Sequence, residues 1–124
     1  MKILVAEDDP GTTAMLMSIF TKWPDHQVTF VADGQAALTL LKDASRWFDV
    51  LLLDVQMPEL TGFEVLARIR DEAHLRSLEI IMCTSANERG SILKAVELGA
   101  RHYLIKPPTE AAIADKLGKI AAKR

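Results

Sequence analysis

The chain has 124 residues, 49% hydrophobic and 26% charged, with a net charge of -2 and one cysteine. That length supports a single domain whose core needs no disulfide or metal staple. There is no basic excess to suit nucleic acid, no disulfide framework and no apolar stretch long enough for a signal peptide or membrane span, so a cytoplasmic setting is expected.

Residues 3–6, ILVA, read as a buried strand that runs into Glu7, Asp8 and Asp9. Pro10 suits the first turn of a helix and Asp9 its N-cap, so a first helix is expected to about residue 22, with Leu16, Ile19, Phe20 and Trp23 on one apolar face. Residues 27–31 form a short β-branched and aromatic strand, broken by Asp33-Gly34. A second helix follows to about residue 44, with Ala36, Ala37, Leu40 and Leu41 turned inward.

The central feature is Val50-Leu51-Leu52-Leu53-Asp54, four apolar residues meeting a carboxylate. An unbroken apolar run suits a strand covered on both faces, expected over residues 49–53. A third helix opens at Leu60-Thr61-Gly62, with Phe63, Leu66 and Ala67 sharing a face. Residues 79–83 give a fourth strand delivering Thr84-Ser85-Ala86. A fourth helix is expected over residues 88–98, with Ile92, Ala95, Val96 and Gly99 at helical spacing and Gly99 as its cap. Residues 102–105 form the last strand, ending in Lys106-Pro107-Pro108. Thr109 then caps a fifth helix that buries Ile113, Leu117 and Ile120.

Five strands alternating with five helices predict an α/β fold: a parallel sheet, helices on both faces, and right-handed crossovers. The carboxyl ends of strands one, three, four and five then share one rim. They carry Glu7 and Asp8, Asp54, Thr84 and Lys106. Crowded carboxylates raise one another's pKa unless a cation joins them, and an all-oxygen set suits a hard divalent ion. One carboxylate is then free to attack phosphorus and form an acyl phosphate. Lys106 would neutralise transferring phosphoryl oxygens, and Thr84 would donate a hydrogen bond to one of them.

These residues carry a family resemblance over essentially the whole chain. Glu7-Asp8-Asp9-Pro10, Asp33-Gly34, Leu53-Asp54-Val55-Gln56-Met57-Pro58 with Thr61-Gly62, Thr84-Ser85-Ala86 and Lys106-Pro107 resemble the receiver domain of two-component response regulators. The resemblance implies a five-stranded parallel sheet of order 2-1-3-4-5, flavodoxin-like, spanning residues 1–124 as one domain without an output domain. It implies Asp54 as phosphoacceptor, with Asp8, Glu7, Asp54 and the backbone carbonyl of Gln56 around Mg²⁺ or Mn²⁺. Asp9 stands as the alternative to Glu7 in that set. Thr84 and Lys106 would hold the phosphoryl group, Tyr103 would be the switch aromatic, and the Lys106-Pro107 bond would be cis.

The expected partners are a histidine kinase or phosphotransfer protein, and a downstream protein on the face of helix four, strand five and helix five. In that reading the chain catalyses only its own phosphorylation and dephosphorylation. Alternatives are a fragment of a larger regulator or hybrid kinase, or an aspartate-nucleophile phosphatase, for which Gln56 stands where a second acid is needed. His26, His74 and His102 are read as surface or strand residues, Cys83 as a packed thiol, and Trp23 and Trp47 as lids on the core.

Overall fold

In a computed structural model of the protein, residues 1–85 and 89–124 are described. Five strands form one parallel sheet of order β2-β1-β3-β4-β5. They are β1 (Lys2–Ala6), β2 (Gln27–Val31), β3 (Val50–Asp54), β4 (Glu79–Thr84) and β5 (His102–Ile105). Between and after them run α1 (Pro10–Thr21), α2 (Gly34–Lys42), α3 (Gly62–Ile69), α4 (Arg89–Glu97) and α5 (Glu110–Ala122). A short 3-10 turn, Ala73–Leu75, separates α3 from β4.

Strand alternation divides the interior into two cores. Ile3 and Val5 of β1, Val50 and Leu52 of β3, and Ile81 and Cys83 of β4 face α1 and α5. They meet Leu16, Ile19 and Phe20 from α1 and Ile113, Leu117 and Ile120 from α5. The intervening residues, Leu4, Ala6, Leu51, Leu53 and Met82, face the opposite way, toward α2, α3 and α4. Both faces of β1 and β3 are therefore dry, which is why their sequences read as continuous apolar runs instead of alternating ones. Edge strand β2 has no fully buried residue.

The helix starts follow local chemistry. Asp9, Asp33, Thr61 and Thr109 cap α1, α2, α3 and α5 by accepting from Thr12, Ala36, Glu64 and Ala112 backbone N–H groups. At α3 the Glu64 carboxylate also reaches back to the Thr61 N–H, completing a reciprocal capping box. Gly99 ends α4 with φ 103°, a conformation costly for any side chain.

Several packing expectations fail. Asp54 is itself the last residue of β3, and the strand begins at Val50, leaving Asp49 outside. On α3 the buried face is Val65, Leu66 and Ile69, while Ala67 is exposed. On α4, Ala95 is buried but Val96 lies 58% exposed. The expected start of α4 at Glu88, and Ala86 before it, lie outside the described residues. Trp23 is half-buried, edge-on to Phe20, and works as a lid. Trp47 does not: it is 62% exposed, with the Lys2 ammonium over its ring at 5.0 Å. His102 is a buried strand residue.

Candidate functional site

The register fixes the site. Ala6 is level with Leu53 across β1 and β3, and Asp54 is level with Cys83 across β3 and β4. Glu7 therefore leaves the sheet beside Asp54, with its N–H held by Val31 O at 3.1 Å. Thr84 is level with Ile105, and Lys106 N–H donates to Thr84 O at 2.8 Å. Four strand ends thus deliver their polar residues to one rim, at the point where strand order reverses between β1 and β3.

One carboxylate oxygen each from Glu7, Asp8 and Asp54 lies within 4.8 Å of the other two. Glu7 and Asp54 are buried and Asp8 is exposed. Lys106 Nζ bridges the buried pair, 2.8 Å from Asp54 Oδ1 and 3.4 Å from Glu7 Oε1. The Gln56 backbone N–H donates to the same Asp54 Oδ1 at 3.2 Å. Asp54 Oδ2 is buried with no hydrogen-bond partner among the described residues. Asp9 is turned away from the cluster: its Oδ2 accepts from Thr12 N–H and Oγ1 at 2.9 and 2.8 Å, capping α1.

Charge crowding shows in the ionisation of these groups. Burial, and then the close approach of the Glu7 carboxyl, push the Asp54 carboxyl up to about 6 against the opposing pull of Lys106. Burial works against the Lys106 charge, yet its bond to Asp54 and the negative charges of Asp54 and Glu7 leave its pKa raised. Cys83, level with Asp54, is pushed up to about 12 chiefly by burial and stays a thiol, as a packed residue should.

The donor set fits a hard divalent cation. It consists wholly of oxygen, it holds more negative charge than one lysine offsets, and it contains a buried carboxylate oxygen with no donor. Thr84 is buried beside this cluster. Tyr103 is not part of it: its ring is 44% exposed on β5, with Lys116 Nζ at 5.6 Å from its centroid. The Lys106-Pro107 bond is cis.

Two glycines shape the loop behind Asp54. A Cβ on Gly62 would collide with the Asp54 backbone carbonyl, and one on Gly34 would meet Leu60 O at 2.8 Å. Gly62 N–H also donates to Val55 O at 3.0 Å, folding the β3–α3 loop back onto the strand end. Composition does not reveal this role of Gly62, because the close approach joins residues from two elements. The Thr61-x-x-Glu64 spacing was a readable sign of a cap just there.

A parallel sheet of this order, with its acids outside the carboxyl ends of β1 and β3, defines a flavodoxin-like α/β protein. The family profile of the response regulator receiver domain matches residues 3–118. The chain belongs to that family, the receiver modules of two-component signalling, in which phosphoaspartate and magnesium binding are typical. It is 31% identical over 120 residues to chemotaxis protein CheY-3 of Vibrio cholerae, covering 97% of this chain and 91% of the relative. A putative response regulator from Chloroflexus aurantiacus superposes with a TM-score of 0.86 at 26% identity, covering 98% and 97% of the two chains. The receiver domain of sensor histidine kinase PA1611 from Pseudomonas aeruginosa, solved with a magnesium ion in its active-site cleft, gives 0.85 at 27% identity and covers 97% of each chain. Among the described residues no helix is long and apolar enough to cross a membrane.

Proposed function

We propose that this receiver accepts a phosphoryl group on Asp54 from the phosphohistidine of a histidine kinase or phosphotransfer protein. The charge so placed then alters a protein-binding face made by α4, β5 and α5. The supporting observation is the state of the Asp54 carboxylate. One oxygen is fixed by Lys106 and the Gln56 N–H, while the other is buried and unpartnered among the described residues. A merely structural aspartate gains nothing from that arrangement.

In this reading Asp54 Oδ2 supplies the electron pair for a new O–P bond. The P–N bond of the donor breaks and its electron pair remains on the ring nitrogen. Neutral imidazole results when the other ring nitrogen carries a proton. Glu7, Asp8, Asp54 and the Gln56 carbonyl would hold Mg²⁺ or Mn²⁺, which supplies positive charge against the acids and the phosphoryl oxygens. Lys106 orients Asp54 beforehand and offers its ammonium to a phosphoryl oxygen afterwards. Thr84 donates its hydroxyl to another.

Tyr103 is the proposed readout, turning inward as Thr84 is drawn toward the phosphoryl group. The face it belongs to already exposes Leu93, Val96, Tyr103 and Ile105, four of the six exposed large hydrophobic residues among those described. A grouping of that kind suits a partner-binding surface. The chain's chemistry in this reading is confined to its own phosphorylation and dephosphorylation in the cytoplasm. An aspartate-nucleophile phosphatase would need an acid where Gln56 stands.

Incubation with Mg²⁺ and acetyl phosphate, followed by intact mass measurement, tests the assignment. One added phosphoryl group is expected, and none in Asp54→Ala or without the metal. Incorporation that persists in Asp54→Ala, or steady hydrolysis of phosphate esters, overturns it.

A further inference from the structure

A groove of about 390 Å³ lies between the C-terminal ends of α3 and α4, at the end of β4 away from the acid cluster. Leu66, Ile69, Ile80 and Leu98 are among its apolar lining. Arg70, the C-cap of α3, and Arg76, just after the 3-10 turn, line it as well, with Glu97 of α4. The volume falls in the range of about 300–1,000 Å³ usual for small-molecule sites.

Lys22, Arg46, Lys119 and Arg124 each pair with a carboxylate. Arg70 and Arg76 have no ion-pair partner among the described residues, as is also true of Lys42, Arg68 and Arg101, but these two line one groove together. Two guanidinium forks beside an apolar lining form a complementary pair of subsites. The forks suit a planar carboxylate or a phosphate, and the lining suits a hydrocarbon or aromatic body. Glu97 opposes a second negative charge on the α4 side.

We propose that this groove is a ligand site for a small amphipathic anion. Its apolar body would rest on Leu75, Ile80 and Leu98, and its single carboxylate or phosphate end would be held by Arg70 and Arg76. A purely inorganic anion would leave the lining uncovered, and a neutral apolar molecule would leave the guanidinium forks unused.

Amide NMR titration of the whole chain in magnesium-free buffer tests this, with 2-naphthoate, 2-naphthyl phosphate, 2-naphthylmethanol and inorganic phosphate as probes. One or both naphthyl anions should shift the Leu75, Ile80 and Leu98 amides, and which of them binds tighter tells whether carboxylate or phosphate is preferred. The neutral alcohol and inorganic phosphate should bind at least about tenfold more weakly. The double variant Arg70→Gln, Arg76→Gln should weaken anion binding by at least about tenfold while leaving the alcohol unchanged. Glu97→Gln should tighten anion binding, which a purely structural role for these residues would not produce. Equal binding of the alcohol and the anions, shifts centred elsewhere, or indifference to both variants would overturn the proposal.

Discussion

One aspartate, Asp49, immediately precedes strand β3 and another, Asp54, ends it, and the two sit in opposite circumstances. At the amino end every polar atom of Asp49 is used. Its Oδ2 accepts from Lys2 N–H at 2.7 Å, its Oδ1 pairs with Arg124, and its backbone N–H and C=O bond to Lys2 O and Glu79 N–H. Arg124 also reaches Asp49 O and Ser77 O at 3.2 and 3.4 Å, so this residue ties β1, β3, β4 and the end of α5 together. At the carboxyl end Asp54 is buried against another acid, shares one lysine with it and leaves an oxygen unpartnered among the described residues. The same side chain is thus used as a staple before the strand and left crowded, with an oxygen unpartnered among the described residues, at its end. Neighbouring charge and available donors make the difference, since the residue type is the same.

The comparison breaks most clearly if the two aspartates respond alike to removal of their charge. Asp49→Ala should lower stability by about 1–3 kcal/mol, because it strands donors at the amino rim. Asp54→Asn should do the reverse in metal-free protein. A carboxyl raised to about 6 favours the folded state while protonated, a contribution present below the unfolded carboxyl value of 3.8 and lost as pH rises through about 6. At pH 7.5 the asparagine variant should therefore be more stable than the parent by about 1–3 kcal/mol in denaturant titrations. Added Mg²⁺ should raise the midpoint of the parent more than that of the variant and close the gap. If Asp54→Asn destabilises the metal-free protein, the crowding at that rim is not what the geometry indicates.

Glycine at the two ends of the molecule sharpens the same contrast at smaller amplitude. Gly62→Ala places a methyl group against the Asp54 carbonyl and should cost about 1–3 kcal/mol. Gly118 lies in α5 beside the amino-end groove lined by Met1 and Trp23, and a Cβ there would meet nothing within 4 Å. Gly118→Ala should leave stability unchanged or raise it by about 0.5–1 kcal/mol. Paired thermal and urea unfolding of the two variants separates these outcomes.

The smallest effect concerns His102, at the start of β5. Burial and the Lys123 charge depress its pKa, with Glu79 pulling the other way. A histidine held neutral in this way contributes stability above its ordinary value of 6.5, and that contribution is lost as pH falls below it. His102→Leu should therefore flatten the acid limb of the stability curve as pH falls below about 6.5. An unchanged slope would mean that His102 does not titrate differently on folding.

Much of this organisation was legible before folding. The apolar runs at Ile3 and Val50 could be satisfied only by strands covered on both faces, and the caps at Asp9 and Thr109 follow from local hydrogen bonding. Because parallel strands bring their carboxyl ends to one side, chain order alone placed Glu7, Asp8, Asp54, Thr84 and Lys106 on a common rim. The resemblance supplied the strand order, which the structure bears out. Less legible was which apolar residues stay wet. Trp47, Val96 and Ala67 have the composition of core residues, but exposure depends on what packs opposite, and among the described residues no partner element covers them.

The sequence by itself determined the alternation of strand and helix, the two-faced central strands and the set of polar groups at their ends, because these depend on hydrophobic periodicity and chain direction. Tertiary structure alone decided which of Asp49 and Asp54 became a staple and which was left crowded. It also decided that Gly62 must be a glycine and that Arg124 closes the far end of the sheet. Those outcomes rest on distances of a few ångströms between residues far apart in the chain, which no local pattern encodes.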